Sequence, residues 1–140
     1  MVTFELSSDE GGPLYRRIAA TVRRLIADRR LARGGRLPPA RDLASQLGVN
    51  VNTVLRAYRD LSSESLVELR QGRGATVVGD AALARLHQLA DDLLAEARRL
   101  GISRGELAAL LIDRDRRLSA AVAADSGEPK PAAKKKFQRS

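Results

Sequence analysis

Glycine and proline cut the first eighty residues into segments too short to be stable alone. Gly11-Gly12-Pro13, Gly34-Gly35, Pro38-Pro39, Gly48 and the pair Gly72 and Gly74 interrupt any long helix. From Leu14 the apolar residues Ile18, Val22, Leu25 and Ile26 recur at spacings of three and four with arginines between them. That predicts an amphipathic helix ending near Arg33-Gly34-Gly35, where glycine permits a left-handed cap. Pro38-Pro39 prevents its resumption, and Pro39 is pre-set for the first turn of a second helix. Leu43 and Leu47 share one face of that short helix, and Gly48 breaks it. Either Asn50 or Asn52 can cap a third helix, in which Val54, Ala57, Tyr58 and Leu61 form a stripe at i, i+3, i+4 and i+7. Two short helices separated by a tight turn are a helix-turn-helix pattern.

Two β-prone stretches follow, Leu66–Arg70 and Ala75–Val78, around Gln71-Gly72-Arg73-Gly74. They read as a hairpin with a basic tip, a wing; an irregular helix is disfavoured because Gly72 and Gly74 would disrupt it. Asp80 can cap a further helix whose Leu83, Leu86, Ala90, Leu93, Ala97 and Leu100 form a heptad seam closed by Gly101. Ser103-Arg104-Gly105-Glu106 is a capping box opening a helix with Leu107, Leu110, Leu111 and Leu118. The expected fold is mainly α with a small β-hairpin: an N-terminal winged helix-turn-helix followed by a C-terminal helical hairpin. The expected divisions are an arm over 1–13, the winged domain over 14–79, a two-helix dimerisation region over 80–118, and a disordered basic tail over 119–140. The seam, with Leu107 and Leu111, exceeds what one short helix can cover, which implies a homodimer. The tail is rich in Ala and Lys, with Pro129 and Pro131, and its Lys134-Lys135-Lys136 cluster would add only non-specific affinity.

The charge is uneven. The 140-residue chain carries a formal net charge of +8, and residues 14–78 hold thirteen arginines against five acids. A polyanion is the natural partner of such a module, a solvated basic surface the bland alternative. Cys is absent and His87 is the one histidine, which excludes disulfide frameworks, thiol nucleophiles and His-rich metal clusters. His87 falls between seam positions and reads as a surface residue. Nucleophile elbows, phosphate loops and paired carboxylates are missing, so neither an enzyme nor a cofactor is expected. The sequence has neither a signal pattern nor an apolar run of membrane-spanning length, so the expected setting is cytoplasmic and without membrane partners.

On the third helix, Asn52, Arg56 and Arg59 project opposite the apolar stripe, with Thr53 at the edge. Arg donates twice to guanine, Asn pairs both ways with adenine, and Thr reaches a phosphate or a methyl group. Surface solubilisation is the competing role for both arginines, and helix capping for Asn50 and Asn52. Arg36 and Arg41 flank Leu37-Pro38-Pro39-Ala40 at the entry to the second helix, a position suited to phosphate. For Arg41 the alternative is an ion pair with Asp42 or Glu68. Gly72 would let the wing backbone approach the minor groove with Arg73 inserted there; a plain turn glycine is compatible with that.

The stretch from Pro13 to Val78 resembles the DNA-binding domain of the GntR family of bacterial transcription regulators. The residues that carry the likeness are Pro-Leu-Tyr at 13–15, RLPPARDLA, LGVNVNTVLRAYRDL and QGRG, in that order. The segment LADDLLAEARRLGISRGELAALL is similar to the two-helix tail of the YtrA-type subfamily. The resemblance implies a homodimeric repressor of its own operon or of adjacent transporter genes, acting through a palindromic operator. It also implies DNA contacts by Arg41, Asn52, Thr53 and Gly72. Many relatives carry Arg where this chain has Val51 and Leu55, so Arg56 or Arg59 would take over part of the base readout. A small-molecule effector would have to bind between subunits, because residues 80–118 are too few to enclose a drug-sized pocket. A sequence-independent architectural protein and a protein-interaction adaptor are the competing readings.

Overall fold

The computed structural model describes residues 4–6 and 12–126. Its elements run α1 (Leu14–Ala27), β1 (Arg36–Leu37), α2 (Ala40–Leu47), α3 (Val51–Ser63), β2 (Val67–Arg70), β3 (Gly74–Val77), α4 (Ala81–Arg99) and α5 (Arg104–Ser126). They divide into two compact units, one through Leu93 and one from Leu94 onward.

In the first unit α1 and α2 both pack on α3. The α3 stripe Val54, Ala57, Tyr58 and Leu61 is fully buried, as its spacing predicts, together with Ile18, Val22, Leu43, Leu66 and Val77. Each large apolar side chain so buried contributes about 1.5–3 kcal/mol. The wing hairpin forms as expected, with Val67 opposite Val77 and Arg70 opposite Gly74. A third strand was not expected. β1 pairs antiparallel with the free edge of β3, giving the order β1-β3-β2. Two residues between Gly35 and Pro38 are too few to show any alternation. The pairing continues through reciprocal bonds, Gly34 N–H to Val77 C=O and Val77 N–H to Gly35 C=O, both 2.8 Å.

α1 stops at Ala27, not near Gly34-Gly35. The left-handed residue is Arg29 (φ 62°). The N–H of Arg29 reaches the Ile26 carbonyl at 3.1 Å and that of Arg30 the Leu25 carbonyl at 2.8 Å, a Schellman closure without glycine. The left-handed conformation costs roughly 1–2 kcal/mol. It lets Leu31 turn back and bury, a gain of similar or larger size. At the other end the expected arm is partly held, since Phe4 and Leu6 pack against the core. Residues 7–11 lie outside the described residues.

The division expected after residue 79 falls instead within α4. Asp80 caps that helix, its Oδ1 accepting from Leu83 N–H at 2.9 Å. Ala84 is fully buried and Leu83 packs against the same core. Arg23 of α1, only 5 % exposed, donates through Nε and Nη2 to both oxygens of Glu64 at 2.9 and 2.8 Å, and through Nη1 to Asp91 of α4 at 2.6 Å. His87 Nδ1 lies 3.8 Å from the same Glu64.

In the second unit Ala97 and Leu107 are buried. The N–H of Ile102 bonds back to the Ala97 carbonyl at 2.8 Å past Gly101. The capping box forms in both directions: Ser103 N–H to Glu106 Oε1 at 2.9 Å, and Glu106 N–H to Ser103 Oγ at 3.1 Å. The backbone N–H of Ser103, then its hydroxyl, hold the Glu106 carboxyl below the usual carboxylate range. α5 runs on to Ser126, so the disorder expected from Ser119 does not hold for 119–126. Ala120, Ala121, Ala123 and Ala124 are the best of helix formers and carry it there. The rest of the tail, with Lys134, Lys135 and Lys136, lies outside the described residues. No helix among the described residues is long and apolar enough to cross a membrane.

Candidate nucleic-acid interface

The second helix of the helix-turn-helix begins at Asn50, whose Oδ1 accepts from Asn52 N–H at 2.8 Å. Asn50 is therefore the cap of α3, and the Asn52 side chain stands exposed in the first turn. Arg56 and Arg59 are exposed on the same side, opposite the buried stripe, and Thr53 is half-buried at its margin. Asn52, Thr53 and Arg56 meet Pro13, Leu14 and Tyr15 around an open cleft of about 510 Å³ between the starts of α3 and α1. Across it the Arg56 guanidinium lies over the Tyr15 ring, 3.9 Å from the centroid.

The remaining expected contacts sit on other elements. Arg41 is exposed in the first turn of α2. Neither of its expected ion pairs forms; Glu68 pairs with Arg70 instead, at 3.3 Å. Arg36 is exposed on β1 opposite Thr76. Gly72 and Arg73 occupy the exposed wing turn, closed by Arg73 N–H to the Arg70 carbonyl at 3.0 Å. Gly72 has φ 72°, the positive value that the third position of a type II turn requires. The structure thus joins Asn52, Thr53 and Arg56 in one cleft; hydrogen bonds link neither Arg36, Arg41 nor Arg73 to that set among the described residues.

Three positioning features escape a reading by periodicity. Tyr58, on the buried stripe, donates its hydroxyl to the Pro38 carbonyl at 2.7 Å and so ties α3 to the loop carrying Arg36 and Arg41. Burial, with the nearby Asp42 carboxylate, pushes its phenol well above the usual range. Gly74 lies against that same loop: a Cβ there would come within 2.5 Å of the Leu37 carbonyl oxygen. Tyr15 supplies the ring beneath Arg56. With only two Tyr and two Phe in the chain, an aromatic residue opening a basic helix was the available signal.

The apolar seam is also sorted by the structure. Leu83 is half-buried against the core of the first unit, and Ala97 and Leu107 are buried within the second. Leu86, Ala90 and Leu93 of the first unit, and Leu100 and Leu111 of the second, stay exposed, Leu86 at 62 % and Leu100 at 60 %. Among the described residues there is no cluster of acids and histidine able to hold a metal ion.

Residues 14–77 match the family model of bacterial regulatory proteins of the gntR family. The HTH-type transcriptional regulator Rv1152 of Mycobacterium tuberculosis is 40% identical over 98 residues, 69% of this chain and 80% of that protein. The HTH-type transcriptional repressor YtrA of Bacillus subtilis is 34% identical over 65 residues, 46% of this chain and half of that one. Among solved structures, YtrA from Sulfolobus acidocaldarius, a GntR-family transcription factor, aligns with a TM-score of 0.50 and 33% identity, over 66% of this chain and 97% of that one. These relatives are transcription regulators, not enzymes. The winged helix-turn-helix, the two following helices and the relatives converge: the chain belongs to the GntR family of DNA-binding transcription regulators, of YtrA type.

Proposed function

We propose that this regulator is a repressor that binds an imperfectly palindromic operator as a homodimer. One observation carries the reading: α3 separates a fully buried apolar stripe from an exposed face bearing Asn52, Arg56 and Arg59. A recognition helix presents its N-terminal residues to base edges in the major groove. In this reading Asn52, Arg56 and Arg59 read bases while Thr53 and Arg41 hold phosphate. Arg36 and the Asn50 turn flank them, and Gly72 and Arg73 bring the wing to the minor groove. The exposed leucines Leu86, Leu93, Leu100 and Leu111 supply the dimer contact, and two-fold symmetry then places two recognition helices on two half-sites. The repressor role is supported by the name of the Bacillus relative.

The test is selection of bound fragments from genomic DNA by the full-length protein, followed by titration of the selected site against unrelated duplex. A palindromic site bound roughly 10³-fold or more tighter than unrelated DNA is expected. Equal affinity for all duplexes would instead make the chain an architectural protein, and lack of any binding would leave the adaptor reading.

A further inference from the structure

The exposed side of α3 through its second turn offers few polar groups. Val51 and Leu55 are apolar and half-buried, leaving Asn52, Thr53 and Arg56. Arg56 is the one with long reach and two donor pairs, yet a free arginine on an exposed helix face samples many rotamers. Ordering it on DNA would cost much of what its base contact yields. In this fold a neighbouring ring is placed to hold it. The Arg56 guanidinium sits 3.9 Å from the centroid of the Tyr15 ring, on the wall of the open cleft that also carries Asn52 and Thr53.

We infer that Tyr15 is a specificity-determining positioning residue: it holds the Arg56 guanidinium over its ring, aimed along α3 toward the base edges, before DNA arrives. The inference rests on the reading that the exposed face of α3 contacts bases. Three further observations support it. Tyr15 is half-buried and packed against the core of the first unit, so its ring is a fixed platform. Its hydroxyl makes no hydrogen bond to the described residues, so the ring face is what it offers Arg56. Lastly, Arg56 forms no ion pair with any described acid, so its hydrogen-bond donors remain available while the ring holds its plane. A cation over an aromatic face keeps its N–H edges free, whereas a carboxylate partner would occupy them. A cation–π contact is worth more once desolvated, so DNA seated over the cleft would strengthen this one.

The test uses the full-length protein and a randomised duplex library, with base preference at each position read by sequencing the bound fraction. Arg56→Ala identifies the position that Arg56 reads. Tyr15→Leu, which keeps the apolar packing and removes the ring face, is expected to lower preference at that same position about 3- to 10-fold. Preferences elsewhere should hold, and the thermal midpoint should change little. Tyr15→Phe keeps the ring and is expected to retain the preference. In the Arg56→Ala background, Tyr15→Leu is expected to add nothing further, because the two act through one contact. If Arg56→Ala changes no base preference, both the base-reading role of this face and the present inference fall. If Arg56→Ala relaxes one position but Tyr15→Leu does not, the inference alone falls. It also falls if Tyr15→Leu weakens all sequences alike, since a structural residue would do that.

Discussion

Tyr58 does two jobs in one side chain. Its ring fills the centre of the core, and its hydroxyl reaches the Pro38 carbonyl at 2.7 Å. Tyr58→Phe keeps the ring and strands the carbonyl, so a loss of about 1–2 kcal/mol in urea unfolding is expected. The wild type should also show a pH dependence that the variant lacks. Above about pH 10 the unfolded chain ionises Tyr58 while the native chain, its phenol pushed upward by burial, keeps the proton. The stability this neutral phenol contributes is intact below the unfolded pKa and is lost as pH climbs past it, by up to about 1.4 kcal/mol per unit. The two wing glycines make a second comparison. Both have positive φ, 72° at Gly72 and 81° at Gly74, but a Cβ at Gly72 meets nothing within 4 Å. Gly72→Ala should therefore cost only the backbone strain, about 1–2 kcal/mol. Gly74→Ala adds a collision with Leu37 and Pro38 and should cost clearly more; equal midpoints for the two would contradict the close approach.

Among the elements, the junction of α1, α3 and α4 depends on Arg23. Three helices meet there because one buried guanidinium serves Glu64, at the C-cap of α3, and Asp91 on α4. Replacing it by Met retains the apolar stem, strips Glu64 of its guanidinium and leaves Asp91 with the more distant Arg16, 3.9 Å away. Removing one partner of a fully buried pair costs 3–5 kcal/mol; Asp91 is partly exposed here, which puts the expected loss nearer 2–3. Amide exchange should accelerate in α4 up to Leu93, and unchanged protection there would refute the junction. This node was illegible in the sequence because helical periodicity assigns arginines to the solvent side, and its acids lie 41 and 68 residues away. What could be read was local. The α3 stripe spans two turns without an interrupting polar residue. The Asp80 and Ser103–Glu106 caps are complete within four residues, and the wing is announced by two glycines. β1 and the Arg29 closure were out of reach for the opposite reason: each is decided by a tertiary contact, with β3 in one case and through buried Leu31 in the other. On α3, residue type and helical phase placed Asn52, Arg56 and Arg59 on the exposed face, where the structure has them. Tyr15 was missed because its role depends on where the start of α1 packs.

For the molecule as a whole, charge and oligomeric state are separable. Residues 14–78 hold the equivalent of the full +8, so the winged domain suffices for steering to DNA, while the proposed dimer would supply tight binding by linking two readers. Linking makes the second half-site contact effectively intramolecular and can raise affinity by roughly 10²–10⁴. The proposed contact is best tested where the single chain has least at stake. Leu86 and Leu100 are the most exposed leucines of the seam in the chain by itself, so an acidic substitution at either should change monomer stability by no more than about 0.5 kcal/mol. In a dimer that buries them, the same change introduces an unpaired carboxylate at a cost of several kcal/mol. Leu86→Asp and Leu100→Asp should therefore keep helical content, and Leu86→Asp the folding of the first unit, while halving the mass measured by light scattering and weakening operator binding. Ala97 and Leu107 do not permit this distinction, because they are buried within the second unit and their variants would confound unfolding with dissociation. A fragment ending at Leu93 supplies the complementary arm: it keeps Ala84 in the core and Asp91 on Arg23, so it should fold, whereas one ending at Val78 gives up both. If the Leu86 and Leu100 variants remain dimeric with undiminished operator affinity, the seam is not the dimer contact and another surface must supply the two-fold.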